Sequence, residues 1–252
     1  MVVIALICQN LWATEAILTS DAGAATGELK IQSSVIELLG EATAKRYAPI
    51  LPVDEQIEWQ VYVPPGYDPA KPAGLLVYIS PQDSGRIRRD WKSVMADANL
   101  IWVAANQSGN EVSPRRRIVY SLLAVSVIAR EYQIAQARIY VSGFSGGGRI
   151  ASMVATSYPR LFKGAIYNCG VNFWDEMPAE SLKLINDNRY VFITGDQDFN
   201  RLDTKRVFKR YQKAGVRQLK LMVIPRMGHS NPGKKDYAQA ITFLDNMPPV
   251  AE

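Results

Sequence analysis

Three side chains in this sequence have the types and the chain order needed to activate an alcohol. Ser145 stands in Gly143-Phe144-Ser145-Gly146-Gly147, which matches G-x-S-x-G. A serine alcohol is too weak an acid to attack a carbonyl unaided, so a base must take its proton. The chain contains 1 histidine, His229, so imidazole chemistry has one source. An acid must then hold that imidazole in one tautomer and stabilise imidazolium. The loop Gly195-Asp196-Gln197-Asp198-Phe199-Asn200 offers two aspartates. Asp198 lies further into the loop and has the reach to cross back over a sheet edge, so it is the expected acid. Asp196, the alternative, is better placed to brace the turn beside Gly195.

Such residues work only if strands and turns deliver them to one place. Arg138-Ile139-Tyr140-Val141-Ser142 is a β-branched and aromatic run leading into the pentapeptide, and a small-residue, helix-compatible segment follows to about Tyr158. Strand, sharp turn and helix in that order are the context of a nucleophile elbow. The turn strains the serine backbone, so the positions two before and two after must be nearly free of side chain. The helix that begins at once aims its first amides at any oxyanion formed there. The plain alternative is an ordinary Gly-rich connection. His229 lies in Pro225-Arg226-Met227-Gly228-His229-Ser230, directly after the last predicted strand. The carboxyl end of a strand is where open α/β sheets hold their ligands, and this separates His229 from a histidine in any turn-rich surface loop.

The remaining elements fit one architecture. Ile57 to Val63 alternates apolar and polar residues as a half-buried strand does, and Pro64-Pro65-Gly66 stops it. Leu75 to Ile79 and Leu100 to Ala105 are continuous apolar runs, expected of strands covered on both faces. Ser113-Pro114 opens a long helix to about Tyr132, with Ser113 as N-cap. Further strands are expected at Gly164 to Asn168, Tyr190 to Thr194 and Leu219 to Ile224. Short helices are expected at Trp91 to Ala98 and Ala179 to Asp187, and longer ones at Arg201 to Ala214 and Lys234 to Asn246. Ile31 to Leu39 reads as strand or helix without deciding. Strands alternating with helices imply right-handed crossovers and a mostly parallel central sheet with helices on both faces.

Composition sets broad limits. The 252 residues are 48% hydrophobic and 21% charged, which suits one large α/β domain over residues 26–252. Net charge is +5 and pI about 9.1. The basic residues fall in short clusters, Arg86/Arg88/Arg89, Arg115-Arg116-Arg117 and Lys234-Lys235, each read as a solvated face. No longer basic stripe or recognisable module points to nucleic acid. Met1 to Cys8 is an apolar run too short to span a membrane. With the Ala-rich sequence after it, residues 1–25 read as a signal peptide cleaved near Ala16 or Ala24, although the run lacks a basic start. Export to the periplasm or medium is therefore expected, and cleavage would leave Cys169 without a disulfide partner.

From about Gln56 to Asn246 the chain resembles the α/β-hydrolase superfamily. Gly143-Phe144-Ser145-Gly146-Gly147 is similar to its nucleophile elbow, Gly195-Asp196-Gln197-Asp198 to its acid loop and Gly228-His229 to its histidine loop. Tyr62-Val63-Pro64-Pro65-Gly66-Tyr67 resembles the secreted esterase and polyhydroxybutyrate-depolymerase-like branch. The resemblance implies hydrolysis of a small-molecule or polymeric carboxylic ester without cofactor or metal, with Ser145, Asp198 and His229 as triad. It also implies a His-Gly motif after the strand at Leu75, where this chain has Ser80-Pro81-Gln82-Asp83. Pro81 has no amide hydrogen, so the oxyanion donors expected are the backbone N–H groups of Gly146 and Gln82. A serine peptidase on the same fold and a catalytically silent binding protein are the competing expectations. Trp91, Phe144, Phe173, Trp174 and Phe199 are expected near the top loops, where they could line an aromatic acyl or alcohol pocket.

Overall fold

Eight strands form one sheet in the order β1-β2-β4-β3-β5-β6-β7-β8. The computed structural model describes residues 25–174 and 178–246. The leader expected over residues 1–25 therefore lies, up to residue 24, outside the described residues. In chain order the elements are β1 (Gly27–Ser33), α1 (Val35–Leu39), α2 (Glu41–Ala44), β2 (Ile57–Val63), β3 (Ala73–Ile79), a 3-10 turn (Arg89–Trp91), α3 (Lys92–Asp97) and β4 (Leu100–Ala105). There follow α4 (Pro114–Glu131), β5 (Ile134–Phe144), α5 (Gly146–Ser157), β6 (Gly164–Asn168), α6 (Ala179–Asp187), β7 (Arg189–Gly195), α7 (Arg201–Lys213), β8 (Gln218–Ile224) and α8 (Lys234–Asp245). The pairs β1–β2 and β2–β4 are antiparallel, and every other pair is parallel.

The undecided stretch Ile31 to Leu39 proves to be two elements. β1 ends at Ser33, and Ser34 caps α1 by accepting the Glu37 N–H at 3.3 Å while Glu37 Oε2 accepts the Ser34 N–H at 2.7 Å. This reciprocal capping box satisfies two amides at the break. Ser113 caps α4 as expected, accepting the Arg116 N–H at 3.4 Å.

A separate core covers each face of the sheet. On one, Val119, Leu123 and Ile128 of α4, Val154 of α5 and Tyr211 of α7 pack on β-strand residues such as Val77, Val141 and Phe192. On the other, Trp91, Met95, Tyr237 and Leu244 pack on Leu76, Trp102, Tyr140 and Ile166. This is why β3 and β4 are apolar on both faces. Trp91, expected near the pocket, is instead wholly buried and stacks on Tyr237 at 3.8 Å.

Register fixes where the loops emerge. Ile79 pairs with Gly143, Phe144 with Asn168, Asn168 with Ile193, and Gly195 with Ile224. The carboxyl ends of β3, β4, β5, β6, β7 and β8, which all run parallel, thus open onto one edge, and six loops emerge there.

Candidate active site

Ser145 occupies the turn between β5 and α5 with φ 53° and ψ −119°, left-handed backbone that a non-glycine residue rarely adopts. The neighbours make this turn possible. A Cβ on Gly143 would overlap Gly147 O and stand 2.8 Å from Gly148 N, and one on Gly147 would overlap Ile79 O. The Ser145 N–H is donated to Asn168 O at 2.8 Å, which ties the elbow to β6.

The loops bring together three of the residues singled out in the sequence. Ser145 Oγ lies 2.9 Å from His229 Nε2, and His229 Nδ1 lies 2.8 Å from Asp198 Oδ1. Those residues are 84 and 31 positions apart in the chain. A hydroxyl, an imidazole and a carboxylate in this sequence can pass a proton from the oxygen to the ring while the carboxylate fixes the tautomer. Asp196 is not part of this line. Its backbone N–H is donated to Ile224 O at 3.1 Å, and its buried Oδ1 has no hydrogen-bond partner among the described residues.

Asp198 is held on all sides. Thr194 Oγ1 donates to Oδ2 at 2.7 Å, and the Asn200 N–H donates to Oδ1 at 3.0 Å. Burial pushes the carboxyl up, but the bonds from Thr194, Asn200, His229 and Cys169 outweigh it and hold the group below the usual carboxylate range. Thr194, Asn200 and Cys169 were not foreseen from sequence. Asn200 links two of the loops, since its Nδ2 also donates to Cys169 O at 2.8 Å.

Cys169 is free and fully buried, with φ 53°. Burial, then the neighbouring Asp198, pushes its thiol up to about 12. Cys169, Asp198 and His229 bring one sulfur, one oxygen and one nitrogen within 4.8 Å of one another. These are zinc-type ligands, but here the carboxylate and imidazole bond to each other and the thiol faces Ser230 O at 3.4 Å.

The expected oxyanion groups are arranged unequally. Gly146 is the first residue of α5, where N–H groups have no intrahelical acceptor. The Gln82 N–H is donated to Ser80 Oγ at 3.0 Å, so it turns into its own loop. A second loop, residues 106–113, lies against this one. The Gln107 N–H reaches Asp83 O at 2.7 Å and the Asn110 N–H reaches Pro81 O at 3.0 Å. That second loop also lines a cleft of about 530 Å³, with Glu55, Glu58, Gln107, Glu111 and Arg116 among its walls but none of Ser145, Asp198 and His229.

Two aromatic rings flank the imidazole. Phe199 stacks on His229 at 4.1 Å and Phe144 lies tilted at 5.0 Å. Phe199 is 77% exposed and Leu202 73%. Phe173 and Trp174 pack on Tyr211 of α7 instead.

Comparison with known proteins agrees with this description. Residues 121–184, which carry the elbow, match the family model of the prolyl oligopeptidase family. No curated protein matches the chain. Among solved structures, S-formylglutathione hydrolase from Staphylococcus aureus superposes with a TM-score of 0.62 at 14% identity, over 87% of this chain and 94% of that one. A ferulic acid esterase gives 0.60 at 12% identity, over 86% and 98%. A Bacteroides ovatus protein assigned as a dipeptidyl aminopeptidase IV gives 0.61 at 16% identity, over 89% of this chain but 36% of that one. The chain thus spans about a third of that peptidase's length. These similarities identify the fold, a single α/β domain with a mostly parallel sheet of the α/β-hydrolase type.

Proposed function

We propose that this protein is a serine hydrolase that cleaves carboxylic esters through an acyl-enzyme. The observation that carries the reading is the unbroken line Ser145 Oγ–His229 Nε2–Asp198 Oδ1, with steps of 2.9 Å and 2.8 Å along it. In the reaction, His229 Nε2 takes the Ser145 proton as Oγ bonds to the acyl carbon and the carbonyl electron pair moves to oxygen. The Gly146 N–H supports that oxyanion. Collapse expels the alcohol, which takes the proton from His229. Water then repeats the sequence on the acyl-enzyme and releases the acid, with Asp198 keeping the imidazole oriented throughout.

The similarity to an S-formylglutathione hydrolase and a ferulic acid esterase, each covered over nearly its whole length, supports ester and thioester substrates. The similarity of Tyr62-Val63-Pro64-Pro65-Gly66-Tyr67 to secreted esterases of the polyhydroxybutyrate-depolymerase-like branch adds polyesters to the substrates worth trying. The match over residues 121–184 supports a second reading, a serine peptidase. Labelling with a fluorophosphonate probe, together with hydrolysis of p-nitrophenyl esters, a polyester and a dipeptidyl p-nitroanilide, tests both. Ser145→Ala should abolish labelling and ester hydrolysis in folded protein. Retained activity in that variant refutes the reading, and anilide cleavage exceeding ester cleavage favours the peptidase.

A further inference from the structure

Arg117 is a buried cation with no carboxylate paired to it among the described residues. It lies on α4, is 3% exposed, and its Nε has no hydrogen-bond partner among them. Burial brings its guanidinium down to about 10, so it remains charged at neutral pH. Burying an unpaired charge is costly, so the bonds it does make need a reason. Nη2 donates to Ser80 O at 2.8 Å, and Nη1 donates to Asn110 Oδ1 over a longer 3.4 Å. Both acceptors belong to the two loops beside the elbow.

Asn110 lies against the residue that follows the nucleophile. A Cβ on Gly146 would overlap Asn110 Oδ1 and come within 3.1 Å of Nδ2, so the carboxamide lies directly over the first turn of α5. A guanidinium has donors only, which assigns the near atom as Oδ1 and leaves Nδ2 on the other branch of the amide. The backbone of Asn110 is fixed too, through its N–H to Pro81 O. Meanwhile the Gln82 N–H is committed to Ser80 Oγ.

We propose that Asn110 Nδ2 is the second oxyanion donor of this site, converging with the Gly146 N–H, and that Arg117 is the positioning residue that orients its amide. The assignment rests on Ser145 being the nucleophile. It gives the chain a side-chain donor where its first loop has lost a usable backbone one. A preformed donor acts on the transition state more than on the bound ester, so its loss lowers turnover and leaves KM nearly unchanged.

The test compares wild type with Asn110→Ala and with the near-isosteric Asn110→Asp, which keeps the shape and removes both amide hydrogens. Asn110 is exposed, so both variants should fold. For each, kcat and KM on a p-nitrophenyl ester are measured together with the Ki of an alkyl boronic acid, whose tetrahedral adduct places an oxygen at the oxyanion position. The expected result is a fall in kcat of about 100- to 1000-fold with a parallel weakening of the boronic acid. Where turnover is too slow to measure, the rate of fluorophosphonate labelling gives the same comparison. Arg117→Lys, which keeps the charge but not the fork, should show a smaller loss in kcat of the same kind. Turnover of Asn110→Ala within a few-fold of wild type, or a loss confined to KM, overturns the assignment, whatever the added charge does in Asn110→Asp. Ser145→Ala in the same assay separates the two failures, since residual hydrolysis there refutes the nucleophile itself.

Discussion

Thr194 and Asp198 are joined by a 2.7 Å hydrogen bond from Oγ1 to Oδ2, so the carboxylate oxygen turned away from His229 is occupied as well. With Asn200 N–H on Oδ1, the carboxylate cannot rotate without breaking two bonds besides the one to the imidazole. That fixes the imidazole tautomer through Nδ1. Asp198→Asn should lower kcat about 10⁴-fold with KM largely kept. Asp196→Asn should leave kcat near wild type, because Asp196 contributes its backbone to the turn and its carboxylate reaches no ring. Steady-state kinetics and melting temperatures of both variants decide between them, and the reverse pattern moves the role to Asp196.

The same bonds make a prediction about acid. Asp198 has a folded pKa below its unfolded value of about 3.9. Its contribution to stability is therefore complete above that value and is lost as pH falls through the lower, folded one. Urea midpoints measured from pH 6 to pH 2 should show this loss below about pH 4 in wild type. Asp198→Asn should lack that part of the acid limb. Thr194→Val, which removes a donor to the buried carboxylate, should cost about 1–3 kcal/mol at neutral pH. Parallel curves for wild type and Asp198→Asn would count against the assignment.

Legibility followed burial. Leu75 to Ile79 and Leu100 to Ala105 announce themselves because strands covered on both faces must be apolar throughout. The chain order Ser145, Asp198, His229 was readable because each follows a strand whose carboxyl end opens on the same edge. Ile31 to Leu39 is not, because two elements meet inside one short mixed run whose period is unsettled; Ser34 and Glu37, three residues apart, are the signal that marks the break. Arg117 is the instructive correction. In Arg115-Arg116-Arg117 the charges look like one solvated face, but successive helix residues diverge by about 100°. Arg115 is exposed, Arg116 bonds Glu55 and Tyr120 at the surface, and Arg117 falls on the inward stripe with Ser121, Ala124 and Ile128. Asn110 carries no sequence signal, because its place against Gly146 arises only when two loops pack.

The rings on the imidazole predict selectivity. In the proposed reaction His229 hands its proton to the departing alcohol, and Phe199 stacks on that ring while remaining mostly exposed. An apolar alcohol group leaving past His229 would rest on Phe199. Phe199→Ala should lower kcat/KM for esters of aryl or long-chain alcohols by about 2- to 10-fold, the worth of one aromatic contact. Methyl esters of the same acid should be little affected. Stability should change by no more than about 0.5 kcal/mol, as for other surface positions. Equal losses across the alcohol series would show that the ring serves His229 and not the substrate.

Cys169 touches the acid yet should be chemically silent. Reactivity needs thiolate and access; burial denies both, with the thiol pushed up to about 12. A thiol reagent at pH 8 should label Cys169 only as fast as the protein unfolds, and the native enzyme should keep full activity meanwhile. Rapid stoichiometric labelling mapped to Cys169 in the native protein, with loss of activity, is the contrary result.

The elbow predicts a sharp contrast between glycines. At Gly147 an added Cβ meets Ile79 O and, at 2.7 Å, the carbonyl carbon behind it. At Gly143 it meets Gly147 O and the next amide. These are backbone atoms of the sheet and of the first turn of α5, so no side chain can swing aside. Relief requires moving α5 away from β3, which also moves Ser145 relative to His229. Gly147→Ala should therefore lose about 3 kcal/mol or more of stability, the upper end for overpacking, and most activity with it. Gly228, beside His229, has nothing within 4 Å of its added Cβ and no positive φ. Gly228→Ala should fold with a melting temperature close to wild type. Thermal melts of the two single variants make the comparison, and a Gly147→Ala protein as stable as Gly228→Ala would mean that the elbow is looser than this packing allows.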